Sequence, residues 1–273
     1  MFGWGLYDFL GGVFAKQIGP YKSFFWSQMA GLAAILALGF FIAPNAAISS
    51  KTALLFPVAA LLYSAGYLFF FKGFEVGNVS IVAAAMNLWA AFTMLFAFAF
   101  MGQRLSATQT IGVLMILAGV TLASLNWSEI QRRKFQLSAG VKEAVAGAFF
   151  FGVYWNVSEI LVEEVGWLVG TALIKLGIVI FVSLFLILSK RGMSLAGAKI
   201  VPAIFFMGLA DAGAVAVVNY GLTIGDAILI TPIASALSIV TILLAVIFLK
   251  DKITRMQGLG IAAAIPGIVV TGM

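Results

Sequence analysis

The chain has 273 residues, of which 63% are hydrophobic and only 10% carry a charge. So little polar surface cannot cover a soluble globule, and the composition predicts a polytopic membrane protein instead. The absence of Cys and His excludes disulfides, thiol nucleophiles and the usual zinc or haem ligands. The net charge of +6 comes from residues in short connections between apolar runs, which disfavours nucleic-acid binding.

Ten apolar runs follow one another along the chain, and each approaches the roughly 20 residues that a membrane-spanning helix needs. Breakers such as Gly19-Pro20 and Gly225-Asp226 separate the runs. No basic segment precedes the first run, so we expect a first helix there rather than a cleaved signal peptide. The predicted spans are residues 2–19, 23–43, 52–72, 79–101, 107–125, 141–162, 167–189, 200–220, 226–249 and 256–272.

The second five runs repeat the first five at a nearly constant spacing. Gly112 recurs as Gly260 and Gly119 as Gly267, in each case 148 residues later. In the first two runs of each half the spacing is 147, and one extra residue between the second and third spans explains the change. An odd number of spans per repeat makes the two halves insert in opposite directions, a construction that many secondary transporters use.

The predicted fold is therefore all-α, with ten transmembrane helices arranged as two inverted five-helix repeats around a central cavity. Residues 1–125 form the first predicted repeat, 126–140 a connecting loop, and 141–273 the second repeat.

Three sequence features resemble one known family. Trp4-Gly5 opens the first span, and Lys72-Gly-Phe-Glu-Val-Gly-Asn-Val-Ser80 leads from the third span into the fourth. A polar turn before a glycine-rich helix occurs twice, at Gln103-Arg104 and at Asp251-Lys252. Together these features resemble the drug/metabolite transporter superfamily, in its ten-helix branch built from two EamA-type repeats. The resemblance implies a ten-helix transporter, and members of this branch are usually described with cytoplasmic termini.

The distribution of basic residues predicts a different orientation. Thirteen Lys and Arg residues lie in connections after odd-numbered spans, and two lie in connections after even-numbered spans. Because basic residues in short loops stay on the cytoplasmic side, this asymmetry predicts both termini outside. The predicted location is the cell membrane, with several spans crossing the inner or plasma membrane.

Three charged residues inside predicted spans stand out as candidates: Asp8, Lys175 and Asp211. A charge at bilayer depth costs about 2.5 to 3.5 kcal/mol, so it is retained mainly for a partner, a cavity or a function. Lys175 and Asp211 could neutralise each other as a structural pair. Alternatively, one of the three anchors a charged group of a substrate or takes up a proton. The sequence leaves open whether Lys175 and Asp211 touch.

A set of uncharged polar and aromatic residues is predicted to line the same pathway. Tyrosines spaced four residues apart share a helix face, and asparagines can orient an organic molecule in an apolar pocket. Hydrogen bonding between helices is the alternative role for each of them. The set comprises Tyr63, Tyr67, Asn87, Tyr154, Asn156 and Asn219.

The expected function is secondary-active transport of a small organic metabolite by alternating access. An amino acid or amine is the favoured solute, because acids and aromatic side chains together suit an amine. Carboxylates inside the membrane permit coupling to protons, and facilitated exchange is the alternative. A sugar or nucleotide-type carrier and a non-transporting partner or scaffold subunit are the alternatives. No catalytic residue, metal site or cofactor is predicted, since the chain has no His or Cys and its spans contain no cluster of acids at metal-ligand spacing. The expected partners are the solute, protons and lipid, and the chain is expected as a monomer or homodimer.

Overall fold

The computed structural model describes residues 1–42, 47–76, 82, 85–124, 139–194, 200–250 and 254–273. Over these residues the chain is helical and contains no strand. Residues 126–138 of the predicted connecting loop lie outside the described residues. So do the turn Asp251-Lys252 and the last four residues of the Lys72–Ser80 motif.

The described residues form ten helices, each overlapping one of the ten predicted spans, so the all-α fold class is confirmed. Seven of the described helices are long and apolar enough to cross a membrane. The helices are α1 (Phe2–Ile18), α2 (Pro20–Ile42), α3 (Ser50–Val76), α4 (Leu88–Phe100), α5 (Ala107–Ser124), α6 (Val141–Val165), α7 (Trp167–Leu188), α8 (Val201–Leu222), α9 (Ala227–Ser235, continued by Leu237–Leu244 and the π-helical turn Ala245–Leu249) and α10 (Arg255–Thr271).

Both halves of the chain break their first helix pair at an equivalent glycine. Gly19 separates α1 from α2 with φ +86°, and Gly166 separates α6 from α7 with φ +79°. Glycine reaches this left-handed backbone region without the steric penalty that a Cβ would bring. The predicted spacing of 147 residues thus joins two positions with the same backbone geometry.

Capping boxes at equivalent positions begin α5 and α10. The Gln109 backbone N–H donates to Ser106 Oγ at 3.1 Å, and the Ser106 N–H donates to Gln109 Oε1 at 3.0 Å. Thr254 and Gln257 make the same reciprocal pair at 3.2 and 2.9 Å, 148 residues later. Each box satisfies two backbone donors that a helix N-terminus would otherwise leave unpaired.

The described chain divides into two compact units, and each unit contains residues from both predicted halves. Unit 1 comprises residues 1, 65–156 and 226–273, and unit 2 comprises residues 2–64 and 157–225. Two of the boundaries fall inside α3 and α6, and another falls between α8 and α9. This division groups residues by contact, whereas the repeats predicted at 1–125 and 141–273 group them by sequence similarity.

In unit 1, α5 and α10 pack closely along a line of glycines. A Cβ built on Gly112 would lie 2.8 Å from the carbonyl oxygen of Gly267, and one on Gly119 would lie 2.6 Å from that of Gly260. The residue numbers rise along α5 as they fall along α10, so the two helices are antiparallel. Equivalent helices of the two repeats therefore run in opposite directions, as an inverted arrangement requires.

Gly260 and Gly258 offer a matched pair of substitutions on α10. A Cβ on Gly260 would lie 2.5 Å from the carbonyl oxygen of Gly119, whereas nothing lies within 4 Å of one on Gly258. We expect Gly260→Ala to destabilise the protein by about 1 to 3 kcal/mol, because the helices must separate. Gly258→Ala should be neutral or stabilising, because alanine favours helix. Thermal unfolding in detergent measures both, and equal unfolding temperatures would contradict the close packing of α5 and α10.

Candidate functional site: a buried ion pair in unit 2

Unit 2 contains an ion pair that is entirely enclosed by protein. Lys175 Nζ on α7 lies 2.8 Å from Asp211 Oδ2 on α8, and both side chains have 0% of their surface exposed. The structure therefore answers the question that the sequence left open: the two predicted charges touch. Their opposite charges cancel, which removes most of the cost of placing either one alone in an apolar medium.

Three further side chains complete the hydrogen bonding of the Asp211 carboxylate. Trp4 Nε1 on α1 and the Tyr63 hydroxyl on α3 donate to Oδ1, at 3.0 and 3.1 Å. Gln28 Nε2 on α2 donates to Oδ2 at 2.7 Å, beside Lys175. A carboxylate can accept about four hydrogen bonds, so Asp211 is fully satisfied. We call Trp4, Gln28, Tyr63, Lys175 and Asp211 the Asp211 cluster.

Gln28 connects the two charges through its amide. Its Oε1 accepts a hydrogen bond from Lys175 Nζ at 2.9 Å while its Nε2 donates to Asp211. An amide can do both, because it carries an acceptor oxygen and donor hydrogens side by side. Gln28, Lys175 and Asp211 therefore form a closed hydrogen-bonded ring in which no charge lacks a partner.

Small residues let the helices approach closely enough to form this ring. A Cβ on Gly31 of α2 would lie 2.9 Å from the carbonyl oxygen of Gly208 on α8 and 3.5 Å from Lys175 Nζ. A Cβ on Gly3 of α1 would collide with the backbone of Ala210, next to Asp211. The glycines of α1, α2 and α8 thus let the backbones of these three helices come close together beside Asp211 and Lys175.

A second polar group joins α7 and α8, and one of its side chains comes from α6. Asn219 Nδ2 donates to Thr171 Oγ1 at 2.8 Å, and Ser158 Oγ donates to Asn219 Oδ1 at 2.9 Å. All three side chains are buried. Thr171 precedes Lys175 by one turn of α7, so this group continues the α7–α8 contact beyond the ion pair. Asn219 acts here as a link between helices, the alternative role stated for it above.

Asp8 lies on α1 one turn after Trp4 but does not join the cluster. Its side chain is partly buried, and it makes no hydrogen bond or ion pair with any side chain that the structure describes, a set that leaves out the side chains of residues 11–17. The neighbouring Tyr7 hydroxyl lies 3.2 Å from Ser27 Oγ. Of the three predicted intramembrane charges, Lys175 and Asp211 pair with each other, and Asp8 has no partner among the described side chains.

The remaining predicted residues lie in unit 1. Asn87 Nδ2 donates to Ser124 Oγ at 2.9 Å and its Oδ1 accepts from Ser238 Oγ at 3.2 Å. The Nδ2 group of Asn156 donates to the backbone oxygens of Thr93 and Gly152. Each asparagine therefore links two helices of unit 1.

The two tyrosines of unit 1 contact aromatic rings. The Tyr67 ring packs edge-on against Phe151 with centroids 4.9 Å apart, and the Tyr154 ring packs against Trp155 at 4.7 Å. Although Tyr67 follows Tyr63 by one turn of α3, the two belong to different units. Their assignment to one transport pathway stays a prediction.

Two members of the Asp211 cluster were not among the predicted site residues. Trp4 was noted only as part of a family motif, and Gln28 not at all, because one indole or amide in an apolar run is ordinary. A signal for Gln28 does exist. It precedes Lys175 by 147 residues, which is the spacing of the repeat.

Replacing Lys175 tests how strongly the cluster depends on charge balance. We expect Lys175→Met to destabilise the protein by about 3 to 5 kcal/mol, because it leaves the Asp211 charge buried without a counter-charge. Lys72→Met is the matched control, since Lys72 pairs with Glu75 at 3.1 Å but both side chains are about half exposed. That substitution should change the unfolding temperature little, because an exposed ion pair contributes little to stability. Thermal unfolding in detergent distinguishes the two, and an unchanged midpoint for Lys175→Met would refute a charged pair.

Comparisons with known proteins match nearly the whole chain. The sequence model of the EamA-like transporter family matches residues 1–125 and 138–273. A search of curated proteins finds no match. Among solved structures, one crystal structure of a protein superimposes on this chain with a TM-score of 0.78 at 19% sequence identity. That alignment covers 97% of this chain and 91% of the other, and at such low identity the likeness concerns the fold alone.

Proposed function

Because the chain belongs to the EamA-like transporter family, it is a multi-pass membrane transporter, and we propose that it is a secondary carrier working by alternating access. The observation that supports this mechanism is a pair of equivalent contacts between α5 of the first half and α10 of the second half. Gly112 of the first half meets Gly267, and the equivalent Gly260 of the second half meets Gly119. Antiparallel halves packed in this way can exchange conformations, so that each side of the membrane gains access in turn.

We propose an amino acid or amine as the solute. A carboxylate persists inside a membrane helix only where something offsets its cost of about 2.5 to 3.5 kcal/mol. Within the described chain Asp211 has such an offset in Lys175, whereas Asp8 has no hydrogen-bonded or ionic partner. A positively charged ammonium group arriving with the solute would offset the charge of Asp8. Sugars and nucleotide-type metabolites lack such a group or carry the opposite charge.

Proton coupling follows from the same carboxylate. A proton and an ammonium group each neutralise Asp8, so they would compete for it, and transport of one would drive movement of the other. We propose the cell membrane as the location, and the distribution of Lys and Arg supports an orientation with both termini outside. We propose one chain as the transport unit, alone or within a homodimer.

A ligand screen tests the solute class. Thermal unfolding of the purified protein is measured with amino acids, amines, sugars and nucleotides, because a ligand that binds the folded state raises its apparent stability. Stabilisation by amines or amino acids is the expected result. Stabilisation by sugars or nucleotides alone would favour those carriers. No stabilisation, with no uptake by reconstituted vesicles, would favour a partner or scaffold subunit.

The role of Asp8 is tested by Asp8→Asn in reconstituted vesicles. We expect uptake of the stabilising solute to fall by about tenfold or more, and its response to a pH gradient to disappear, because asparagine binds neither a proton nor a cation. Asp226→Asn, which removes an exposed carboxylate at the start of α9, is the control and should transport normally. Normal uptake and pH response in Asp8→Asn would exclude Asp8 from the mechanism.

A further inference from the structure

We propose that the Asp211 cluster lies on the two-fold axis relating the two halves within unit 2, and stays closed in both access states. Its members are then positioning residues for transport, not solute ligands. The closure of the cluster in both access states rests on the alternating-access mechanism proposed above. The position of the cluster on the axis rests on contacts alone.

The cluster contains two contacts between equivalent residues. Gln28 and Lys175 are 147 residues apart, the repeat spacing for the second span, and they share a hydrogen bond of 2.9 Å. Tyr63 and Asp211 are 148 apart, the spacing for the third span, and share one of 3.1 Å. Residues related by a two-fold rotation lie at equal distances on opposite sides of its axis. Two such residues can meet only at the axis itself.

The surrounding packing obeys the same symmetry. A Cβ on Gly208 would lie 2.7 Å from the Cβ of Ala30, joining α8 to α2. A Cβ on Gly177 would lie 2.5 Å from the Cβ of Ala60, joining α7 to α3. Applying the repeat spacings converts Ala30 into Gly177 and Ala60 into Gly208, so each contact is the image of the other. The two-fold relation therefore extends beyond the polar side chains.

Position on the axis determines what can change during transport. Exchanging the conformations of the two halves turns the Ala30–Gly208 contact into a different contact, Ala60–Gly177. The distances in these two contacts can therefore change between access states. The same exchange turns the Gln28–Lys175 contact into itself. An axial contact is thus compatible with both states without breaking. Because the axis of inverted repeats lies in the membrane plane, these contacts sit at the depth where hydration is least available.

The charges themselves are not shared equally between the halves. Lys175 and Asp211 both come from the second half, while the equivalent residues of the first half, Gln28 and Tyr63, are neutral hydrogen-bonding groups. Opening the cluster would separate two full charges in the membrane. Gln28 opposes that separation by holding both charges at once. We therefore assign Gln28 as the principal positioning residue.

Moving the lysine across the axis tests this assignment. Lys175→Gln alone should lower the unfolding temperature and reduce the uptake rate by about tenfold or more, because Asp211 loses its counter-charge. Adding Gln28→Lys to that variant should restore both, since Gln28 Nε2 already lies 2.7 Å from Asp211 Oδ2. Gln28→Lys alone adds an unpaired charge and should be destabilising. The rescued variant should keep the wild-type KM within about twofold, because no solute contact has moved.

Two outcomes would overturn the proposal. If stability returns in the double variant but KM rises about tenfold or uptake stays absent, then Lys175 contacts the solute. If neither stability nor uptake returns, positions 28 and 175 are not interchangeable across an axis. Should the wild-type protein transport no solute at all, the alternating-access proposal fails, and the stability measurements still decide whether the cluster is axial.

Thiol labelling tests closure in both access states without a known solute. The chain has no native cysteine, and Ser27, next to Gln28, is fully buried. Ser27→Cys is nearly isosteric, and we expect no reaction with a membrane-impermeant thiol reagent in intact cells or in inverted vesicles. The same cysteine should react after denaturation in SDS, which serves as the control. Labelling from either side of the native membrane would show that the cluster opens.

Discussion

The ion pair between Lys175 and Asp211 is the interaction on which the rest of unit 2 depends. Two opposite charges 2.8 Å apart in an apolar interior need additional hydrogen bonds to offset the cost of leaving water. That requirement recruits an indole from α1, an amide from α2 and a hydroxyl from α3. Five helices are thereby fixed at one point, and the glycines nearby allow the backbones to come that close.

The two units hold the halves of the chain together by different means. In unit 1, glycine faces of α5 and α10 meet directly, so the association depends on van der Waals contact and shape. In unit 2, polar groups meet inside the protein and contribute direction as well as attraction. Both interfaces nevertheless join residues of one half to residues of the other, and the repeat spacings of 147 and 148 relate the contacts within each interface.

Much of this architecture could be predicted from the sequence because it depends on periodic properties. The ten apolar runs predicted the helices, and the predicted spacings of 147 and 148 fit the pairs Gln28–Lys175 and Tyr63–Asp211, which the structure brings together. Which of the many equivalent pairs meet on the axis could not be predicted, because that depends on helix tilt and rotation. Tyr67 shows the limit: helical spacing places it one turn from Tyr63, yet Tyr67 belongs to unit 1, where its ring packs against Phe151.

The central claim is that equivalent residues meet at a two-fold axis and keep a neutral, closed cluster there throughout transport. Experimental structures of the protein trapped open to each side of the membrane test it most directly. The account predicts that Lys175 Nζ and Asp211 Oδ2 remain within hydrogen-bonding distance in both, with Gln28 bridging them. A structure in which water or solute separates Lys175 from Asp211 in either state would contradict it.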